Sequence, residues 1–163
     1  MAQPLKDKII SNLVEPDTHV SPATALEGLT VAQARRRPSA GLGTIWEQLA
    51  HVVFWQEFVL ATVRGRNPRM PASSDGGWPP MPSGRGSDGA WEDLRARFAD
   101  SLAQLLAIAR RSSFAKPVGR RGKSTLGEEL LTLADHNSYH FGQIVSLRKQ
   151  IGAWPPPSGG HTW

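Results

Sequence analysis

Residues 125–152, TLGEELLTLADHNSYHFGQIVSLRKQIG, carry the longest helical pattern of the chain. Thr125 followed three residues later by Glu128 has the pattern of a capping box, in which each side chain satisfies the other residue's backbone N–H at a helix start. Gly152 stands where such a helix stops, because glycine takes the left-handed conformation of a C-terminal cap without a Cβ penalty. Between them Leu126, Leu130, Leu133, Ile144, Leu147 and Ile151 recur at helical spacing and make one apolar stripe. The helix also carries His136 and His140. At 100° per residue, with Leu133 as zero, His136 falls at about −60° and His140 at about −20°, inside the stripe. Both imidazoles are therefore expected to face the interior, one turn apart, where they can converge on one metal ion.

Working back along the chain, Asp88 is placed to cap a helix in which Trp91, Leu94, Phe98, Leu102, Leu105 and Ala109 recur at three- and four-residue steps. Arg110 and Arg111 suit its C-terminal dipole, and the helix should end near Ser113. The basic stretch from Lys116 to Lys123, with Arg120 and Arg121, reads either as an anion contact or as a solubilising loop. Thr44 and Glu47 form a second capping box, opening a helix to about Gly65 whose stripe is Ile45, Leu49, Val52, Val59 and Val63. Residues 65–89 hold 6 Gly and 5 Pro in 25 positions, which marks a long connection without periodicity. The N-terminal part breaks into shorter helical pieces: Pro4 to Val14, Ser21 to about Gly28, and Thr30 to Pro38. No strand pattern of useful length is present. The expected fold is all-α, a four-helix bundle with a long crossover between its second and third main helices.

Composition sets the chemistry. At 163 residues the chain reads as a single domain over 1–163, with 65–89 as crossover loop and 152–163 as a Trp- and Pro-rich tail. It contains no cysteine, so thiol catalysis, disulfides and Cys-type metal sites are excluded, and a metal must be held by His and carboxylates. Fourteen of the 19 basic residues are Arg, against 14 acids, for a net charge of +5. A solvated basic face explains that excess without nucleic acid, and no nucleic-acid motif accompanies it. No apolar segment follows the first lysines, and the most apolar run, Leu49 to Trp55, is too short to span a bilayer. A cytoplasmic protein without membrane contact is the expectation.

His51 stands at the border of its helix's stripe, where it can reach the His136 and His140 pair as a third ligand and leave open positions for water. The spacing alone equally allows hydrogen-bonded packing histidines. Asn137 after His136 removes the zincin pattern, which needs Glu there. His19 and His161 stand in loop and tail sequence and read as non-ligands.

Two sets of residues resemble the DinB/YfiT-like superfamily of bacterial metalloenzymes. One is the apolar run Leu49-Ala50-His51-Val52-Val53-Phe54-Trp55, and the other is His136-Asn137-Ser138-Tyr139-His140 followed by Gly142-Gln143-Ile144. The tail from Gly152 to Pro157 is also similar to that of a DinB-like subgroup, so the resemblance runs from Thr44 to the end. It implies a four-helix bundle, a homodimer, and a divalent metal ion, commonly zinc or nickel, on three histidines that correspond here to His51, His136 and His140. Relatives include transferases of low-molecular-weight thiols such as bacillithiol and a mycothiol-dependent isomerase.

Two functional expectations follow. One is a metal-dependent enzyme acting on a small-molecule substrate, a thiol S-transferase or hydrolase. Here Glu47 or Gln143 would orient the ligands, and a borrowed thiol cosubstrate would supply sulfur. The alternative is a non-catalytic stress-related or binding protein with a structural or vestigial metal site. Trp78, Trp154 and Trp163 would either wall a pocket at the bundle mouth or pack on its outside. Arg64, Arg66 and Arg69 would meet a carboxylate-bearing cofactor or form a solvated cluster.

Overall fold

In the computed structural model, which describes residues 3–83, 87–119 and 122–160, six helices follow one another: α1 (Gln3–Val14), α2 (Pro22–Leu26), α3 (Val31–Arg35), α4 (Ile45–Val63), α5 (Ser87–Arg111) and α6 (Leu126–Gln150). The architecture is all-α. Four of the helices are long, and they pack α4 against α5 and α6, with α1 closing against α5 and α6. The N-terminal prolines leave room for only two five-residue helices, α2 and α3, in front of α4. Both capping boxes form as the sequence predicts, with Thr44 accepting from the Glu47 N–H and Thr125 from the Glu128 N–H. The three stripes become the core. Ile45, Leu49, Leu105, Leu130 and Ile144 are completely buried, and each such side chain removed from water contributes about 1.5–3 kcal/mol.

The structure departs from the sequence reading in two places. α5 is already helical at Ser87, so Asp88 lies in its first turn rather than ahead of it, and the crossover is 64–86. The basic stretch contains an antiparallel pair, β1 (Pro117–Val118) and β2 (Ser124–Thr125), with Pro117 opposite Thr125. Two-residue strands are too short to show alternation in sequence. Arg120, Arg121, His161 and Trp163 lie outside the described residues. Within the crossover, Ser74–Gly77 makes one 3-10 turn and carries the chain back over α4.

Arg148 is buried on α6 and ties three elements together. Its Nη1 donates to the Ala25 carbonyl at 2.8 Å and its Nε to the Ala153 carbonyl at 3.0 Å. Trp154 lies beside Arg148 and Lys149, with the cations 5.5 and 5.7 Å from the ring, so this indole packs on the bundle rather than walling a pocket. None of the described helices is long and apolar enough to cross a membrane.

Thr44 is 1% exposed, so its cap is shielded from competing water. Thr44→Ala is expected to lower unfolding free energy by about 1 to 2 kcal/mol. Urea denaturation followed by circular dichroism measures it, and an unchanged midpoint would contradict the cap's role.

Candidate metal centre

α4 delivers His51 and α6 delivers His136 and His140, the two helices packing so that all three rings meet. Ring centroids lie 5.0 Å apart for His51 and His136, 4.6 Å for His51 and His140, and 4.4 Å for His136 and His140. One ligand nitrogen from each falls within 4.8 Å of the others, a group that could hold a divalent metal ion. His51 and His140 are buried and His136 is half-buried.

The hydrogen bonds fix the tautomers. His51 Nδ1 stands 2.6 Å from the Gly77 carbonyl, which can only accept, so Nδ1 carries the proton and Nε2 presents a lone pair. His140 Nδ1 likewise donates to Gln48 Oε1 at 2.7 Å, freeing its Nε2. His136 Nε2 faces His51 Nε2 at 3.1 Å, while its own Nδ1 is buried with no partner. These contacts cannot all be satisfied by three neutral rings. If His136 donates through Nε2, its Nδ1 lone pair is orphaned, and if it is protonated at Nδ1, two lone pairs oppose each other. Opposed lone pairs repel, and a cation coordinated by all three Nε2 atoms would remove that opposition, with the His136 proton then on Nδ1. The donor set therefore fits a divalent ion.

All three imidazoles are held neutral, as ligation requires. Burial pushes His140 down to about 4, assisted by the neighbouring His136 and His51 rings. Burial also lowers His136, with His51 adding to it and the neighbouring Asn137 side chain opposing, and lowers His51 against the opposing Gly77 carbonyl. For the metal-free protein the linkage has a definite sign. As pH falls through about 6.5 the unfolded chain takes up protons that the folded rings refuse, so folding stability drops. The melting temperature of the apoprotein should fall between pH 6.5 and about 4 in calorimetry, less steeply in His140→Phe. A wild-type profile no steeper than the variant's would contradict the burial of these rings.

Glu47 does not reach the histidines. Its carboxylate accepts from Thr44 N–H at 2.7 Å and pairs with Arg37 at 2.7 Å. Gln143 is half-buried one turn beyond His140, and among the described residues it has no hydrogen bond to an imidazole. Orientation comes instead from Gln48 and the Gly77 carbonyl. His19 is used elsewhere, between the Val20 carbonyl at 2.9 Å and Ser138 at 3.0 Å.

The crossover closes over this cluster. Trp78 stacks on His51 with centroids 3.8 Å apart and planes at 13°, and stands edge-on to His140 at 5.8 Å. Tyr139, 64% exposed, flanks His140 at 5.0 Å. Trp78, 39% exposed, is thus part of the site.

An all-α bundle with three inward histidines on two adjacent helices is a helical protein built around a candidate metal centre. The model of the DinB superfamily matches residues 23–144, and the chain belongs to that superfamily. The match begins in the N-terminal segment before Thr44 and stops before the Trp- and Pro-rich tail. No curated protein and no solved structure matches the chain.

Proposed function

We propose that the protein is a divalent-metal-dependent enzyme, a thiol S-transferase or hydrolase acting on a small molecule, with His51, His136 and His140 as ligands. The observation that carries this reading is the tautomer pattern, two Nε2 lone pairs directed inward by carbonyl oxygens and the Nε2 of the third ring brought to 3.1 Å from one of them. When bound, an ion held by three neutral imidazoles retains its charge and acts as a Lewis acid that lowers the pKa of a water or thiol beside it. Zinc and nickel both suit imidazole donors. Gln48 and Gly77 hold the rings, and Trp78 and Tyr139 border the approach. With no cysteine in the chain, sulfur for a transfer comes from a thiol cosubstrate. A homodimer in the cytoplasm completes the proposal.

The stacking of Trp78 on His51 favours a second reading, a structural metal in a non-catalytic protein, because it covers one ligand directly. Cobalt(II) loading separates the two. A sulfur-to-cobalt charge-transfer band on adding 2-mercaptoethanol is expected for the enzyme. Stoichiometric cobalt whose spectrum ignores the thiol would overturn the enzyme reading.

A further inference from the structure

On α4, His51, Trp55, Phe58 and Thr62 recur at four, three and four residues, and on α6 Glu129, His136 and His140 recur at seven and four. Each set therefore lies on one face of its helix. The histidines occupy one end of these faces. About 10 Å further along, at roughly 1.5 Å of rise per residue, lies a cavity of about 790 Å³ lined by Phe58, Thr62, Arg66, Arg69, Lys123 and Glu129, among others. None of these three cations takes part in an ion pair among the described residues. Glu129, the acid there, accepts from the Ser124 hydroxyl at 2.6 Å. One segment of chain serves both ends, since the crossover brings Arg66 and Arg69 to the cavity and Gly77 and Trp78 to His51.

We propose that this cavity binds the anionic group, a carboxylate or a phosphate, of the substrate whose reacting end lies at the three histidines; this rests on the metal-enzyme reading above. Guanidinium groups match the planar oxygens of such anions two bonds at a time, and a lysine adds a point charge. Phe58 gives the hydrocarbon part of such a molecule an apolar wall. Between the ends, Gly77 lies so close to Trp55 that a Cβ there would stand 3.0 Å from the indole nitrogen. A molecule joining both ends must part that contact, which tryptophan fluorescence reads.

The test has two arms. In the metal-free protein at low salt, inorganic phosphate is expected to bind by ³¹P line broadening, at least several-fold more weakly in the Arg66→Ala/Arg69→Ala variant. Absence of phosphate binding to the wild type overturns the cavity site whatever its metal content. In the zinc-loaded protein, suberate and sebacate should bind more tightly than succinate and change tryptophan fluorescence. The double variant should keep its zinc and lose that preference for length. Equal binding of short and long dicarboxylates overturns the joining of the two ends. A wild type that binds phosphate but holds no zinc overturns the metal reading while leaving the anion site standing.

Discussion

Replacing His140 by alanine is expected to strip the protein of its metal and leave its helices in place. In the proposed centre the group brings together three imidazoles and, among the described residues, no carboxylate, so each imidazole removed takes a third of the protein ligands. The loss should exceed the about 10–100-fold that follows removal of a group that merely orients a ligand. His51→Ala and His136→Ala should behave alike, because their nitrogens complete the same 4.8 Å group. The fold is expected to stand without the ion. Leu130, Leu133, Phe141 and Ile144 on α6 are buried against the other helices, and helical stability in proteins comes mostly from packing of that kind. Metal analysis of protein purified without a histidine tag, beside circular dichroism, checks both halves. Wild type should carry about one divalent ion per chain and each variant far less, at nearly constant helicity. Metal retained in all three variants, or absent from wild type after incubation with zinc and nickel, would remove the centre. An unfolded apoprotein would show that the ion holds the bundle together.

What could be read from the sequence was local and periodic. The stripes of α4, α5 and α6 and the capping boxes at Thr44 and Thr125 depend on residues three and four apart, and all of them form. The i, i+4 relation of His136 and His140 has the same origin. The partners of these rings were not legible, since Gly77 lies 26 residues from His51 and Gln48 lies 92 residues from His140. A glycine contributing only its carbonyl leaves no chemical mark in a sequence. Nor does composition reveal that a Gly- and Pro-rich crossover folds back to place Trp78 on His51. For Gln48 there was a signal. Glu47 and Gln48 flank His51 by one helical turn, but the capping box already engages the Glu47 carboxylate. The remaining polar side chain near the stripe, Gln48, was therefore the one free to meet an imidazole across the interface.

Gln48→Leu is accordingly expected to weaken metal binding by about 10–100-fold without unfolding the protein. Gln48 and His140 are 7% and 5% exposed, so water cannot easily replace the lost acceptor. The His140 N–H would then be buried without a partner, and the ring would gain by turning or changing tautomer, either of which moves its Nε2 lone pair off the common point. Gln48→Glu supplies the same acceptor with a charge, and it should restore affinity by holding the proton on Nδ1. Glu47→Gln offers the contrast. Glutamine can still close the capping box on Thr44, as Gln33 does on Thr30, so this variant should lose only the ion pair with Arg37 and keep its metal affinity. Competition for zinc against a chromophoric chelator, measured beside urea denaturation, separates affinity from stability in all three. If Gln48→Leu binds zinc as wild type does while Glu47→Gln binds it weakly, the ring is oriented from Glu47 and the hydrogen bond from His140 to Gln48 does not govern the site.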